Sequence, residues 1–163
     1  MKAFRNSYPA YLFLYSFYFM STALFTTLIS VYLIGQQYSA SQVSHLVSTA
    51  FFLSMLTQPL FGYINERFGI VKITTLSLGV LMAGVGGFIW APNFFWLTIF
   101  YGLVLLCLNG TAPMMEILAT QSPYAFGKIR VWGTLGYAAG AHLAGWLYAH
   151  LSPQSVYYCV LVT

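Results

Sequence analysis

Residues 8–34 have the sequence YPAYLFLYSFYFMSTALFTTLISVYLI, which contains no Lys, Arg, Asp or Glu. A bilayer with a hydrocarbon core of about 30 Å needs roughly 20 consecutive apolar residues in a spanning helix. The run is too long for the apolar core of a signal peptide, and no small-residue cleavage site follows it. It therefore predicts an uncleaved first membrane span.

The composition of the whole chain agrees with this prediction. Of its 163 residues, 60% are hydrophobic and 5% are charged, whereas soluble domains carry roughly 25% charged residues. Six basic and two acidic side chains cannot cover a water-facing surface. The cations are scattered in pairs and form no basic patch, so nucleic-acid binding is not expected. The expected surroundings are a lipid bilayer.

Further apolar runs follow, separated by short polar or charged segments. Ser41 is expected to cap the second helix, and residues 66–69 (ERFG) to form a charged loop before the third. The predicted spans cover approximately residues 8–34, 42–65, 72–90, 94–119 and 128–149, with the start of a sixth at 155–163. The sequence thus predicts an all-α integral membrane protein in which residues 1–163 form one transmembrane bundle. Because it stops inside the sixth element, we expect a fragment of a longer protein.

The positive charges predict the orientation of these spans. All six Lys and Arg residues fall on one side of a five-span arrangement, namely Lys2, Arg5, Arg67, Lys72, Lys128 and Arg130. Lys and Arg are enriched in cytoplasmic loops. We therefore expect a multi-pass protein of the plasma or inner membrane with a cytoplasmic N-terminus.

A carboxylate and a guanidinium occur in the fourth and fifth spans. Glu116 lies within the fourth span, where a carboxylate costs several kcal/mol unless it is paired or faces water. Arg130 opens the fifth span after a short turn, so the two side chains can reach a similar depth. One interpretation is that each reaches the membrane interface independently. The other is a charge pair that faces a water-filled cavity and can hold a polar solute.

Small and aromatic residues follow Arg130 in the fifth span. Gly133, Gly136 and Gly140 predict two small-residue faces that allow another helix to approach closely. Trp132 and Tyr137 can stack on the apolar face of a sugar ring, or they can face lipid as interfacial aromatic residues.

Several motifs together resemble a known family. Residues 62–69 (GYINERFG) follow the G-x-x-x-D-R/K-x-G pattern of the loop between spans two and three in the major facilitator superfamily, with Glu66 at the aspartate position. Further similar stretches are residues 17–19 (FYF), 58–62 (QPLFG), 109–116 (NGTAPMME) and 126–133 (FGKIRVWG). These are similar to the lactose-permease-like group of proton symporters within the superfamily.

The resemblance implies both a fold and a set of binding residues. The chain would be the N-terminal half of a twelve-span major-facilitator fold, with five complete transmembrane helices and the start of a sixth. In the group, a carboxylate and a guanidinium at the positions of Glu116 and Arg130 bind sugar hydroxyls. Asn109 and Ala112 would lie near this pair. A tryptophan that stacks on the sugar ring in the group is replaced here by Tyr137.

The resemblance also implies a mechanism. Gly62, Glu66, Arg67 and Gly69 would be gating residues that couple conformational change. Transport would be symport of a small polar solute, a sugar or oligosaccharide, by alternating access. Protons would be the coupling ion, without a cofactor, and the proton-translocating residues would lie in the C-terminal half. The full-length protein is expected to be a monomer.

Two alternatives stay open at this point. Within the same group, the substrate can be a nucleoside or an aromatic acid. From a different class, the chain can be a non-transporting membrane scaffold or a truncated half-transporter. An enzyme is not expected, because the chain has no G-x-S-x-G or H-E-x-x-H motif and its His and Cys residues lack metal-ligand spacing.

Overall fold

A computed structural model describes residues 7–163. Lys2 and Arg5, two of the cations used to predict the orientation, lie outside the described part. The described chain is all-helical, as expected. Its helices are α1 (Tyr8–Thr26), α2 (Ile29–Gly35), α3 (Ala40–Phe68), α4 (Ile70–Ile89), α5 (Phe94–Thr120), α6 (Phe126–His150) and α7 (Ser155–Val162).

Four helical segments of the described chain are long and apolar enough to cross a membrane. They are Tyr8–Gly35, which combines α1 and α2, together with Ala40–Phe68, Ile70–Ile89 and Phe94–Thr120. These segments correspond to the first four predicted spans. The fifth predicted span corresponds to α6, which has 25 residues and is not among these four segments.

The first predicted span is interrupted where the sequence predicts one continuous helix. Residues 27–28 form a turn between α1 and α2. Just before the turn, the Thr22 hydroxyl donates to the Tyr18 carbonyl at 2.9 Å and the Thr26 hydroxyl to the Thr22 carbonyl at 2.8 Å. Such hydroxyls slightly destabilise a helix and often bend it, but Thr57, Thr75 and Thr98 make the same contact within continuous helices.

The start of α3 differs by two residues from its prediction. Ser39 caps the helix, not Ser41. The Ser39 hydroxyl accepts from the Gln42 backbone N–H at 3.3 Å, and the Gln42 side chain accepts from the Ser39 backbone N–H at 2.9 Å. This reciprocal capping box satisfies two backbone donors. With a cap at Ser41, Gln42 would be the next residue and could not take part in such a box.

The prediction of a charged loop between the second and third spans is also wrong. Glu66 and Arg67 belong to the last turn of α3, and Gly69 alone separates α3 from α4. Arg67 there is favourable because a cation complements the negative end of the helix dipole. Gly69 has φ +90°, a conformation that residues with a Cβ rarely adopt.

The described chain divides into two compact units. Unit 1 comprises the chain up to Ile29 together with Met115–Thr163, and unit 2 comprises Ser30–Met114. In unit 1, α6 packs against α1 along much of its length.

Glycines of α6 allow this close packing in unit 1. A Cβ at Gly136 would lie 2.7 Å from the Ser16 Cα, and one at Gly140 would lie 2.6 Å from the Met20 carbonyl oxygen. A Cβ at Gly133 would lie 2.7 Å from an atom of the Phe19 ring. All three glycines therefore face α1, so they form one small-residue face and not the two predicted.

Unit 2 is held by aromatic and polar contacts between its helices. The rings of Tyr32 and Phe88 lie 5.9 Å apart, and those of Phe88 and Tyr101 lie 6.3 Å apart. The Thr74 hydroxyl lies 3.5 Å from the Met114 sulfur. These contacts link α2, α4 and α5.

Replacing Gly136 by alanine should separate α1 from α6. The new methyl group meets the backbone of Ser16, which cannot rotate away, and overpacking of this kind costs about 1–3 kcal/mol. In the full-length protein in detergent, Gly136→Ala should lower the unfolding temperature. Gly145→Ala is the control, since nothing lies within 4 Å of its added Cβ; alanine there should leave the unfolding temperature unchanged or raise it. Equal effects would contradict the packing interpretation.

Replacing Gly69 by alanine should destabilise the α3–α4 junction through backbone strain alone. An added Cβ meets no atom within 4 Å, but φ is +90°, and a positive φ costs an L-residue about 1–2 kcal/mol. Gly69→Ala should therefore lower the midpoint of thermal unfolding, while Gly79→Ala, which also has open space but an ordinary helical backbone, should not. A loss of stability with both substitutions would exclude strain as the cause.

Candidate functional site

The candidate site lies in unit 1, where α5 ends and α6 begins. Residues 121–125 join the two helices. Within this loop, the Ser122 hydroxyl donates to the Ala119 carbonyl at 2.7 Å and accepts from the Tyr124 backbone N–H at 3.3 Å. The ring of Tyr124 packs edge-on against Tyr8 of α1, with 5.3 Å between centroids. The short, ordered loop brings the end of α5 beside the start of α6.

Glu116 and Arg130 form an ion pair across these two helices. Arg130 Nη1 lies 3.0 Å from Glu116 Oε1, and the side chains are 59% and 50% exposed, respectively. The Arg130 guanidinium also lies over the Phe126 ring of its own helix, 5.6 Å from the ring centroid. Among residues 7–163 this is the only ion pair.

The exposure of the pair bears on its role. An exposed ion pair contributes only about 0–1 kcal/mol to stability in water. Facing lipid it would be costly, because charged groups within a membrane are tolerated mainly when they face a water-filled space or the interior of a bundle. Stability alone therefore does not account for the pair.

Helix α1 contacts the backbone on both sides of the pair. The Tyr15 hydroxyl donates to the Met115 carbonyl at 2.8 Å, and the Ser16 hydroxyl donates to the Trp132 carbonyl at 3.2 Å. Met115 directly precedes Glu116, and Trp132 follows Arg130 by two positions. The sequence alone does not indicate Tyr15 and Ser16, because nothing in an apolar run distinguishes them before the partner helix is known.

The two aromatic candidates have different surroundings. Trp132 is half-buried, and its indole N–H donates to the Tyr8 hydroxyl at 2.9 Å. Tyr137 is 43% exposed and lies seven residues after Arg130, a spacing that puts both on one side of α6. Trp132 is thus engaged with α1, whereas the Tyr137 ring is accessible on the side that carries Arg130.

Asn109 and Ala112, predicted to lie near the pair, belong to unit 2, and both are half-buried. The Asn109 amide nitrogen donates to the Ser54 hydroxyl of α3 at 2.9 Å. Ser54 is 1% exposed. The hydrogen bond links α3 to α5, and Ser54 is a further polar residue that the sequence pattern does not indicate.

The predicted gating residues lie together at the end of α3. Gly62, Glu66, Arg67 and Gly69 are all exposed. Within the described chain Glu66 and Arg67 form no ion pair, and the Arg67 guanidinium lies 5.7 Å from the centroid of the Phe68 ring. Asn65 lies in the same part of α3, between Gly62 and Glu66, and is 7% exposed. Its side-chain oxygen Oδ1 has no hydrogen-bond partner among residues 7–163.

Metal binding has no candidate residues in the described part of the chain. No three His, Cys, Asp or Glu side chains within residues 7–163 are grouped so that they could hold a metal ion.

Comparison with known proteins gives one family and several relatives. Residues 8–163 match the family described as "MFS_1 like family". The sucrose permease of Escherichia coli is 28% identical over 96% of this chain and 41% of its own length. The maltose permease of Geobacillus stearothermophilus is 28% identical over 94% of this chain and 40% of its own length.

The comparisons also set the extent of the similarity. The chain spans about two-fifths of the length of these relatives. No solved structure matches it.

Proposed function

This chain belongs to the MFS_1 like family, and we propose that it forms the N-terminal half of a membrane transporter for a sugar or oligosaccharide. The family membership confirms the resemblance to the major facilitator superfamily that the sequence motifs predicted. The transporter is proposed to work by alternating access, with the substrate bound between two halves near the middle of the membrane.

The exposed Glu116–Arg130 pair is the observation that carries the proposal. Within residues 7–163 the two side chains share a single hydrogen bond. The second carboxylate oxygen and the remaining guanidinium N–H groups are thus available to another molecule. A sugar hydroxyl both donates and accepts, so neighbouring hydroxyls can bond to the carboxylate and the guanidinium together. We propose that this pair binds the substrate.

The relatives support a sugar as the substrate. One is named a sucrose permease and the other a maltose permease, and both names refer to disaccharides. These names describe permeases and not enzymes, which supports a non-enzymatic role here. Tyr137 is proposed to stack on the apolar face of a sugar ring, since aromatic faces supply apolar contact area.

The remaining predicted site residues enter the proposal through the resemblance. Asn109 and Ala112 are proposed to line the substrate-binding region. Gly62, Glu66, Arg67 and Gly69 are proposed to act in conformational coupling. Their place at a helix end and at a positive-φ glycine is compatible with a hinge between α3 and α4.

Protons are proposed as the coupling ion, with no cofactor and with the proton-translocating residues outside this chain. The transporter is proposed to act as a monomer in the plasma or inner membrane. We propose further that α6 is a fifth span and that α7 begins a sixth. The close fit of α6 against α1, which belongs to an apolar spanning segment, supports this assignment.

Labelling of single cysteines should establish the orientation and the fifth span. In full-length protein with all native cysteines replaced by serine, Cys107 and Cys159 included, cysteine is introduced at Gln36, Gln121 or Gln154. All three glutamines are exposed and lie between helices. A membrane-impermeant maleimide added to intact cells should label positions 36 and 154, and position 121 only after permeabilisation. Labelling of 121 and 154 from the same side would show that α6 does not span.

Uptake by the full-length protein in proteoliposomes tests the function. Radiolabelled sucrose and maltose should accumulate, more strongly under an inwardly directed proton gradient. Glu116→Gln and Arg130→Lys should each weaken uptake at low substrate concentration by at least about tenfold, because a hydrogen bond to a charged group contributes about 1.5–3 kcal/mol. Lys72→Gln, which removes an exposed cation elsewhere, is the control. Unchanged uptake in both pair variants would refute the binding role of the pair.

A further inference from the structure

We propose that Tyr15 is a positioning residue for the Glu116–Arg130 pair. Through its hydroxyl and ring, Tyr15 of α1 would set the distance and orientation of the two charged side chains when they bind substrate. The inference deepens the proposed function and rests on it for the nature of the substrate. Its structural part, that Tyr15 fixes the pair, can be tested without any substrate.

The geometry places Tyr15 between the two helices that carry the pair. Its hydroxyl donates to the Met115 carbonyl at 2.8 Å, one residue before Glu116 on α5. Its ring contacts α6, where a Cβ at Gly133 would lie 3.0 Å from Tyr15 Cδ1. Gly133 is three residues after Arg130, less than one turn along α6. One side chain thus contacts the backbone beside each member of the pair.

The surroundings leave Tyr15 little freedom. It is 1% exposed, and its ring packs against Phe19 with 5.6 Å between centroids. Next to it, Ser16 donates to the Trp132 carbonyl at 3.2 Å. Because closely packed side chains keep single rotamers, displacement of Tyr15 requires movement of α1, α5 or α6.

The pair itself cannot supply this precision. Both of its side chains are at least half exposed and are joined by one hydrogen bond. Long charged side chains in such a setting retain several rotamers, and their mutual attraction is weak. Binding sites lose affinity when supporting contacts allow displacements of about 1 Å. The relative position of the two side chains must therefore be set by the backbones of α5 and α6, and Tyr15 contacts both of these helices.

The substitution Tyr15→Phe removes the hydroxyl and keeps the ring. Tyr157→Phe is the matched control, because Tyr157 is 2% exposed, lies in unit 1 and packs on Phe25 of α1, with 5.8 Å between ring centroids. In proteoliposomes of the full-length protein, Tyr15→Phe should raise the half-saturating sucrose concentration about fivefold, the effect of one neutral hydrogen bond. The maximal rate and the unfolding temperature should change no more than with Tyr157→Phe.

A second measurement follows the geometry without substrate. Spin labels at Ile117 and Val131, exposed neighbours of the pair, report the distance between α5 and α6 in a background without native cysteines. Dipolar coupling between the labels should weaken or spread in Tyr15→Phe and not in Tyr157→Phe.

The two measurements separate the possible failures. An unchanged label distance in Tyr15→Phe overturns the positioning role. A changed distance with an unchanged half-saturating concentration overturns its importance for substrate binding. If the unsubstituted protein takes up neither sucrose nor maltose, the proposed substrate class fails, while the label distance still decides whether Tyr15 fixes the pair.

Discussion

The close approach of α1 and α6 is the constraint on which the candidate site depends. Gly136 and Gly140 lie so near the α1 backbone that a single methyl group has no room. At this distance the short Ser16 side chain reaches a carbonyl of α6, and the Tyr15 ring fills the space beside Gly133. Small residues thus do more than permit packing here, since they bring hydrogen-bonding groups of α1 within reach of the two helices that carry charge.

Several polar groups elsewhere in the described chain also join helices to one another. In unit 2, Asn109 and Ser54 join α5 to α3 through one hydrogen bond, and Thr74 contacts a methionine sulfur. Hydrogen bonds between helices matter within a bilayer because lipid offers no alternative partner. The exposed Glu116–Arg130 pair departs from this pattern. It retains unused donors and acceptors, and this departure sets it apart from groups that serve packing.

Apolar runs predicted the helices well, because the bilayer imposes a length and a composition that a single sequence displays directly. Helix ends were less predictable. The cap at Ser39 depends on a reciprocal contact with Gln42, and the junction at Gly69 depends on one backbone angle. The turn at residues 27–28 lies within an unbroken apolar run. Each of these is decided by local geometry, to which hydrophobicity is insensitive. The roles of Tyr15, Ser16 and Ser54 depend on which helices lie next to one another. The hydrophobic pattern of a single span does not contain this information.

The two carboxylates of the chain show why spacing, and not the residue types alone, makes a candidate site. Glu66 and Arg67 are adjacent in sequence, yet consecutive positions on a helix point in different directions, and the two form no ion pair within residues 7–163. Glu116 and Arg130 are separated by a turn, and the antiparallel return of the chain brings them to 3.0 Å. The same chemical groups therefore divide between a helix end, where Arg67 but not Glu66 complements the dipole, and an exposed pair, where charge can meet a ligand. This difference follows from topology and supports substrate binding at the second site, whereas the gating role at the first site is proposed from the family resemblance.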